Sequence, residues 1–237
     1  VGFFSKVHKG ARAENFTIEG TIHAAPADAI TNHVGVAGLV AGGTMSGVIN
    51  KAKITTDDAG IYSLQVGGLA GALTSGGKIA GCENYGNITL NGTADGISVA
   101  GGIVGYVGST SNNSNELEPG GLITGCRNHA VVTSSNNKVE GLGGVVGMLR
   151  GGEIISCQNV KTAKVAATLT NSNCNVAGVC GYVQNRSGRK IRIANCVNEG
   201  EILITTGTAA GGIVGGLHLW HNAGTDILSC RNTSDIS

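Results

Sequence analysis

Apolar and polar positions alternate in this chain only over short stretches, and the stretches return in a fixed order. Ala100-Gly101-Gly102-Ile103-Val104-Gly105-Tyr106-Val107 is one such stretch. Its other copies are Val36-Ala37-Gly38-Leu39-Val40-Ala41, Val66-Gly67-Gly68-Leu69-Ala70-Gly71, Leu142-Gly143-Gly144-Val145-Val146-Gly147, Val176-Ala177-Gly178-Val179-Cys180-Gly181 and Ala210-Gly211-Gly212-Ile213-Val214-Gly215. From Gly38 through Gly68, Gly102, Gly144 and Gly178 to Gly212, the spacings are 30, 34, 42, 34 and 34 residues. A period in that range marks a stacked array rather than a single wide core.

A second block follows each first one. It reads Ile79…Cys82-Glu83-Asn84, Ile123…Cys126-Arg127-Asn128, Ile154…Cys157-Gln158-Asn159, Ile193…Cys196-Val197-Asn198 and Ile227…Cys230-Arg231-Asn232. The first repeat has Met45…Val48-Ile49-Asn50, with valine in the cysteine place. Four residues after each Asn stands Ile54, Ile88, Val132, Ala163, Ile202 or Ile236. Two residues after it stands Ala52, Gly86, Ala130, Lys161, Gly200 or Ser234. Each unit thus carries three short aliphatic segments bounded by Gly, Asn and Ser, which reads as three strands. No segment keeps apolar residues at i, i+3, i+4 and i+7 over three turns, so no amphipathic helix is predicted.

Three strands per unit, all advancing the same way, predict an all-β parallel β-helix of about six coils. Equivalent residues then stack about 4.8 Å apart along the axis. The column Asn50, Asn84, Asn128, Asn159, Asn198, Asn232 fits an Asn ladder of stacked amides, and Asn also tolerates left-handed turns. A propeller blade would need four strands and a bulkier signature. Repeats begin near 36, 66, 100, 142, 176 and 210, giving a repeat domain over 36–237. Residues 1–35 fit the repeat poorly and are predicted as an irregular N-terminal cap, with Phe16 in the cysteine place and Gly20-Thr21-Ile22 resembling the end of a unit.

Side-chain alternation assigns the row Leu39, Leu69, Ile103, Val145, Val179, Ile213 inward. The row Val40, Ala70, Val104, Val146, Cys180, Val214 then forms a flat outer face with Gly42, Ala72, Tyr106, Met148, Tyr182 and Gly216. Such a face is expected to meet either a covering loop or a partner. The last coil matches the consensus to its end, which predicts that something absent from this sequence covers that end.

Composition narrows the function classes. Of 237 residues 41 are Gly, without a three-residue period, so collagen is excluded. Aromatics are only 3%, which suits a thin core of small aliphatic side chains. Sixteen basic and fifteen acidic residues give a net charge of +1, scattered along the chain, so nucleic acid is not predicted as a partner. No apolar run is long enough for a transmembrane helix.

Candidate chemistry is sparse. Cys82, Cys126, Cys157, Cys196 and Cys230 stand one per coil, without the paired spacing of a zinc site, and are predicted to be free thiols serving as small core hydrophobes. Cys174 and Cys180 are too far apart along one strand to bridge. Asp57-Asp58 is the only paired carboxylate, and adjacent residues do not make the facing pair a glycosidase needs. No metal, cofactor or catalytic residue is assigned. His218-Leu219-Trp220-His221 is read as loop. Loops after the first strand of coils 3, 5 and 6 (Gly108 to Pro119, Gln184 to Lys190, His218 to Thr225) emerge on one edge. Their Asn113, Glu116, Arg186, Arg189, Trp220 and His221 are the candidate binding residues, because loops on a rigid scaffold carry recognition.

The ordered Gly-Gly-Ile-Val-Gly blocks (101–105, 211–215) and their variants at 67–71 and 143–147, with the x-Cys-x-Asn blocks after them, resemble the GLUG-motif repeat family over residues 36–236. Ala37, Ala41 and Ala177 depart from the motif at single turns. The resemblance implies a structural or adhesive module of a bacterial cell-surface or secreted protein, with any enzyme lying in another domain. Other domains of the same larger protein, a host glycan or protein, or another surface protein are the partners it implies. The alternative reading is a polysaccharide-active lyase or hydrolase, or a carbohydrate-binding β-helix.

Overall fold

The computed structural model describes residues 1–25, 31–57, 63–91, 98–108, 119–135, 138–168, 174–185, 190–205, 209–219 and 224–237. It is a parallel β-solenoid with no helix among these residues. Each coil but the last runs through five strands rather than the predicted three, and like strands stack into five parallel sheets. One coil illustrates the order: Ala70–Thr74 in the first sheet, Lys78–Ala80 in the second, Glu83–Asn84 in the third, Ile88–Leu90 in the fourth and Ser98–Gly101 in the fifth. The first three sheets have seven strands and the last two have six.

The extra strands come from two corners that a linear reading does not register. One lies inside the glycine block. Ser98–Gly101 ends the fifth sheet and Val104–Val107 begins the next strand of the first sheet, so the chain bends at Gly102-Ile103. The bend resets side-chain alternation. Leu69, Ile103, Val145 and Val179 therefore share the main core with Ala70, Val104, Val146 and Cys180, which the sequence had placed on an outer face.

The second corner precedes the cysteine position. Asn15, Gly47, Gly81, Gly125, Ser156, Asn195 and Ser229 all have φ between 52° and 61° there. The left-handed column is this one, and the ladder asparagines three residues later are not part of it. Non-glycine residues carry a penalty of about 1–2 kcal/mol in this conformation. A Cβ at Gly81 meets nothing within 4 Å, so the corner is open to either residue type. Ser156→Gly and Ser229→Gly are each expected to raise stability by about 0.5 kcal/mol, the left-handed relief less the entropy glycine loses on folding. A lowered urea midpoint in both variants would contradict this.

Two interiors run the length of the solenoid. The main core takes residues of the first two sheets, such as Val107 and Ile123, and the cysteine position just before the third, such as Cys126. The smaller one joins Ile54, Ile88, Val132, Val165 and Ile202 of the fourth sheet to Leu64, Val66, Ala100, Leu142 and Val176 near or within the fifth. Each aliphatic side chain buried this way contributes about 1.5–3 kcal/mol. The fourth sheet corrects one alignment: Val132 pairs with Val165, not Ala163, so this coil has two extra residues and Ala163 replaces Lys161 as the small residue after the ladder.

The expected flat face is a third, narrow interior. Ala72, Tyr106 and Met148 are buried against Val99 of the fifth sheet, with Leu39 and Tyr182 packed beside them. Among the described residues the cover is the fifth sheet. Glycine makes the approach close enough: a Cβ on Gly105 would sit 2.6 Å from the backbone nitrogen of Val66, and one on Gly147 2.8 Å from that of Ala100.

The first copy of the glycine block is also corrected. Val34 pairs with Val66 while Ala37 pairs with Ala70, so Gly35-Val36 spans what takes Gly67-Gly68-Leu69 in the next coil. Gly38 is the equivalent of Gly71, and Ala41 is not a lost motif glycine. Leu39 accordingly aligns with Ala72 in the narrow interior, not with the inward row.

The described part of residues 1–35 is regular rather than irregular. Phe4–His8, Arg12–Glu14, Thr17–Ile18 and Thr21–Ala24 pair in parallel with the following coil in four successive sheets. Phe16 does take the cysteine place, one residue before the Thr17–Ile49 pair. With Phe3 and Phe4 it makes an aromatic cluster whose ring centroids are 4.9–6.4 Å apart at that end of the core. In the coil of residues 209–237, Leu217 and Ile227, which continue core rows, are 50% and 41% exposed.

Candidate functional site

The coil stack decides which side chains can meet outside. The third sheet turns its asparagines inward, and these are the backbone of the whole arrangement. Asn50 Nδ2 donates to Asn84 Oδ1 at 2.8 Å, Asn84 to Asn128 at 3.0 Å, Asn128 to Asn159 at 2.9 Å, Asn159 to Asn198 at 2.8 Å and Asn198 to Asn232 at 2.7 Å. The second Nδ2 hydrogen goes to the carbonyl two residues on, as in Asn84 to Gly86 (3.1 Å) and Asn128 to Ala130 (3.0 Å). The same residue's N–H returns to Oδ1. Each central amide thereby satisfies both donors and both acceptor directions in a site with no water access.

Because the ladder fixes the register of the third sheet, the residue after each Asn, and after Ile18 in the first coil, also forms a column, on the outside. It reads Glu19, Lys51, Tyr85, His129, Val160, Glu199, Thr233. Tyr85 and His129 are neighbours in it, and their rings stack at 4.1 Å with planes 12° apart. Glu83, two residues before Tyr85, joins both: the Tyr85 hydroxyl donates to Glu83 Oε2 at 2.6 Å, and His129 Nε2 lies 3.0 Å from the same oxygen. That hydrogen bond, with a smaller contribution from burial and the carboxylate's charge, raises the Tyr85 phenol above its ordinary value, while the nearby Arg127 guanidinium acts in the opposite direction. Arg127 pairs with Glu83 in register one coil on and is exposed. Further along the face, Gln158 Nε2 donates to Glu199 Oε2 at 2.9 Å, and Arg231 approaches Glu199 at 3.9 Å.

This cluster was missed in the sequence, although its signal is there. Asn84-Tyr85 and Asn128-His129 occupy one motif position in successive repeats, and reading that column alone brings the two rings together. Tyr85 is 46% exposed and sits away from both ends of the solenoid, unlike the other large exposed apolar side chains among the described residues.

The six loop candidates, Asn113, Glu116, Arg186, Arg189, Trp220 and His221, all lie outside the described residues. The strands leading to those loops are described. His218 and Leu219, expected in a loop, extend the first-sheet strand Val214–Leu219 and pair with Gln184 and Asn185. At the same edge Arg150 lies over the Tyr106 ring, 5.8 Å from its centroid, and Tyr182 Oη is 3.3 Å from His218 Nδ1.

Of the paired carboxylates, Asp58 is outside the described residues, and Asp57 Oδ2 is 3.2 Å from His23 Nε2 on the fourth sheet's outer face. All seven cysteines are free thiols, six of them buried and Cys230 partly exposed. Cys82, Cys126, Cys157 and Cys196 pack in the main core, as expected of small hydrophobes. Cys174 and Cys180 stand on either side of a glycine corner in different interiors, not on one strand. Burial pushes the Cys174 thiol up to about 12, and Cys180 rises for the same reason. Among the described residues no three His, Cys, Asp or Glu side chains are grouped to hold a metal ion. Comparison of the chain with family models, curated proteins and solved structures finds no match.

Proposed function

We propose that this chain is a non-catalytic, adhesive repeat module of a bacterial cell-surface or secreted protein, of the GLUG-repeat kind. In this reading the solenoid is a rigid rod, and its outer columns and loop edge contact a ligand while other domains of the same protein flank it. The observation that carries the reading is the Tyr85–His129–Glu83 cluster: an exposed tyrosine stacked on a half-buried histidine and held in one orientation on a sheet whose register the ladder fixes. Pre-ordered aromatic side chains lose little entropy on contact and so favour recognition. The test is retention of beads coated with the folded module on surfaces carrying glycans or host-cell matrix proteins, with bare beads as control. Retention on at least one surface is expected. Uniform loss of retention, together with turnover of any polysaccharide by the isolated chain, would replace the module reading with the enzymatic one.

A further inference from the structure

We infer that the outer face of the third sheet, centred on Tyr85, is a binding site for a neutral hexopyranose chain, a conclusion that rests on the adhesive-module reading and names its ligand class. The argument begins with the ring. One face of Tyr85 is taken by His129 at 4.1 Å. The opposite face turns toward the place of Lys51, the preceding member of the column. Lys51 does not cover it, because its ammonium is drawn the other way, to Glu19 Oε1 at 3.1 Å. Tyr85 is left 46% exposed although one face lies on His129, and the hydroxyl bond to Glu83 holds the ring from swinging. Sugar rings present an apolar C–H face that packs on such a surface, with gains of the size seen for other aromatic contacts.

The polar groups around the ring match hydroxyls rather than a net charge. Glu83 uses one oxygen, Oε2, for both Tyr85 and His129, so Oε1 remains an acceptor. Arg127, beside Glu83 in register, has no ion-pair partner among the described residues and supplies donors. A carboxylate acceptor next to a guanidinium donor suits a hydroxyl, which both gives and takes a hydrogen bond. The two charges cancel, and Lys51 is cancelled by Glu19, so nothing at the site selects an anionic chain.

The experiment is a calorimetric titration of the whole chain with oligosaccharides of β-1,4-glucose, β-1,4-galactose and α-mannose, and with oligogalacturonate as the anionic arm. Binding of at least one neutral oligosaccharide is expected, weakened about tenfold or more by Tyr85→Ala and by Arg127→Ala. Tyr85→Phe keeps the ring and is expected to retain most of the affinity. Circular dichroism and the thermal midpoint of each variant control for folding, since both positions are outside the core. Binding confined to oligogalacturonate overturns the neutral-sugar assignment. Neutral binding that survives Tyr85→Ala overturns the site while leaving the module reading intact. Absence of binding to every sugar, with bead retention on a protein surface preserved, overturns the ligand class and again leaves the module reading standing.

Discussion

Asn128→Ala is expected to destabilise the solenoid by about 4 kcal/mol or more, a larger loss than any buried aliphatic truncation to alanine of similar size. Asn128 accepts from Asn84 Nδ2 and from the Ala130 N–H, and donates to Asn159 Oδ1 and the Ala130 carbonyl. Removing the amide leaves one hydrogen of Asn84, one oxygen of Asn159 and both backbone groups of Ala130 unpaired. Asn84 and Asn159 are fully buried and Ala130 is 2% exposed, so water cannot substitute. An orphaned buried group costs about 1–3 kcal/mol, and the four together are not fully additive. Asn232→Ala, at the exposed end of the ladder, removes its link to Asn198 in partial contact with solvent and is expected to cost about 1 kcal/mol. Asn128→Asp adds a pH signature. A carboxylate there still accepts from Asn84 but cannot donate to Asn159, and burial disfavours its charge, so its folded pKa lies above the unfolded value of about 3.9. The native state then binds the extra proton. Stability is greatest below pH ~3.9 and falls as pH rises toward the folded pKa, the reverse of an ion-paired aspartate. Urea unfolding of the three variants between pH 4 and pH 8 checks this; an Asn128→Ala loss under 1 kcal/mol would show that the ladder is incidental.

The ladder was legible in the sequence because its asparagine recurs once per coil beside a recurrent cysteine position. The parallel β-helix followed from that recurrence and from the absence of any helical period. The strand count did not follow. Gly101-Gly102-Ile103-Val104 is apolar throughout, and a corner inside an apolar run leaves no polar residue to mark it. The same corner explains the wrongly outward row, since alternation was carried across a bend that restarts it. The first coil was misaligned for a simpler reason: Ala37-Gly38-Leu39 mimics the motif three residues away from where Gly35-Val36-Ala37-Gly38 performs its job. Of the surface, only strand-borne columns can be read this way. Tyr85 and His129 were available through their distance from the ladder, whereas the loop residues follow excursions of unequal length that no register fixes.

Gly102→Ala is expected to cost about 3 kcal/mol or more, a large loss for one methyl group, although glycine-to-alanine changes in strands are often neutral or better. A Cβ at Gly102 would collide with the carbonyl oxygen of Gly144 and with the side-chain amide of Asn128. Neither can yield. Gly144 belongs to the next corner, and Asn128 is held by four hydrogen bonds. The same contact recurs between Gly68 and Asn84, Gly144 and Asn159, Gly178 and Asn198, and Gly212 and Asn232. The two blocks that repeat along the sequence at changing separations are therefore the two sides of one contact. The middle glycine is required because the ladder amide occupies the space where a Cβ would stand. The coil containing Asn50 reaches the same end by omission, with Gly35-Val36 passing the corner one residue short. Overpacking alone costs about 1–3 kcal/mol, and displacing Asn128 adds the loss of one or more ladder bonds. Gly81→Ala is the matched control: its φ of +58° strains alanine by about 1 kcal/mol, but no atom lies within 4 Å of the new methyl. Stacked repeats unfold with limited cooperativity, so the comparison is best made by hydrogen exchange as well as by thermal midpoint. Gly102→Ala should lose amide protection in the coils containing Asn84, Asn128 and Asn159, whereas Gly81→Ala should leave those coils protected. Equal midpoints for the two variants, with protection intact around Asn128, would mean that the glycine column serves the bend alone and not the ladder.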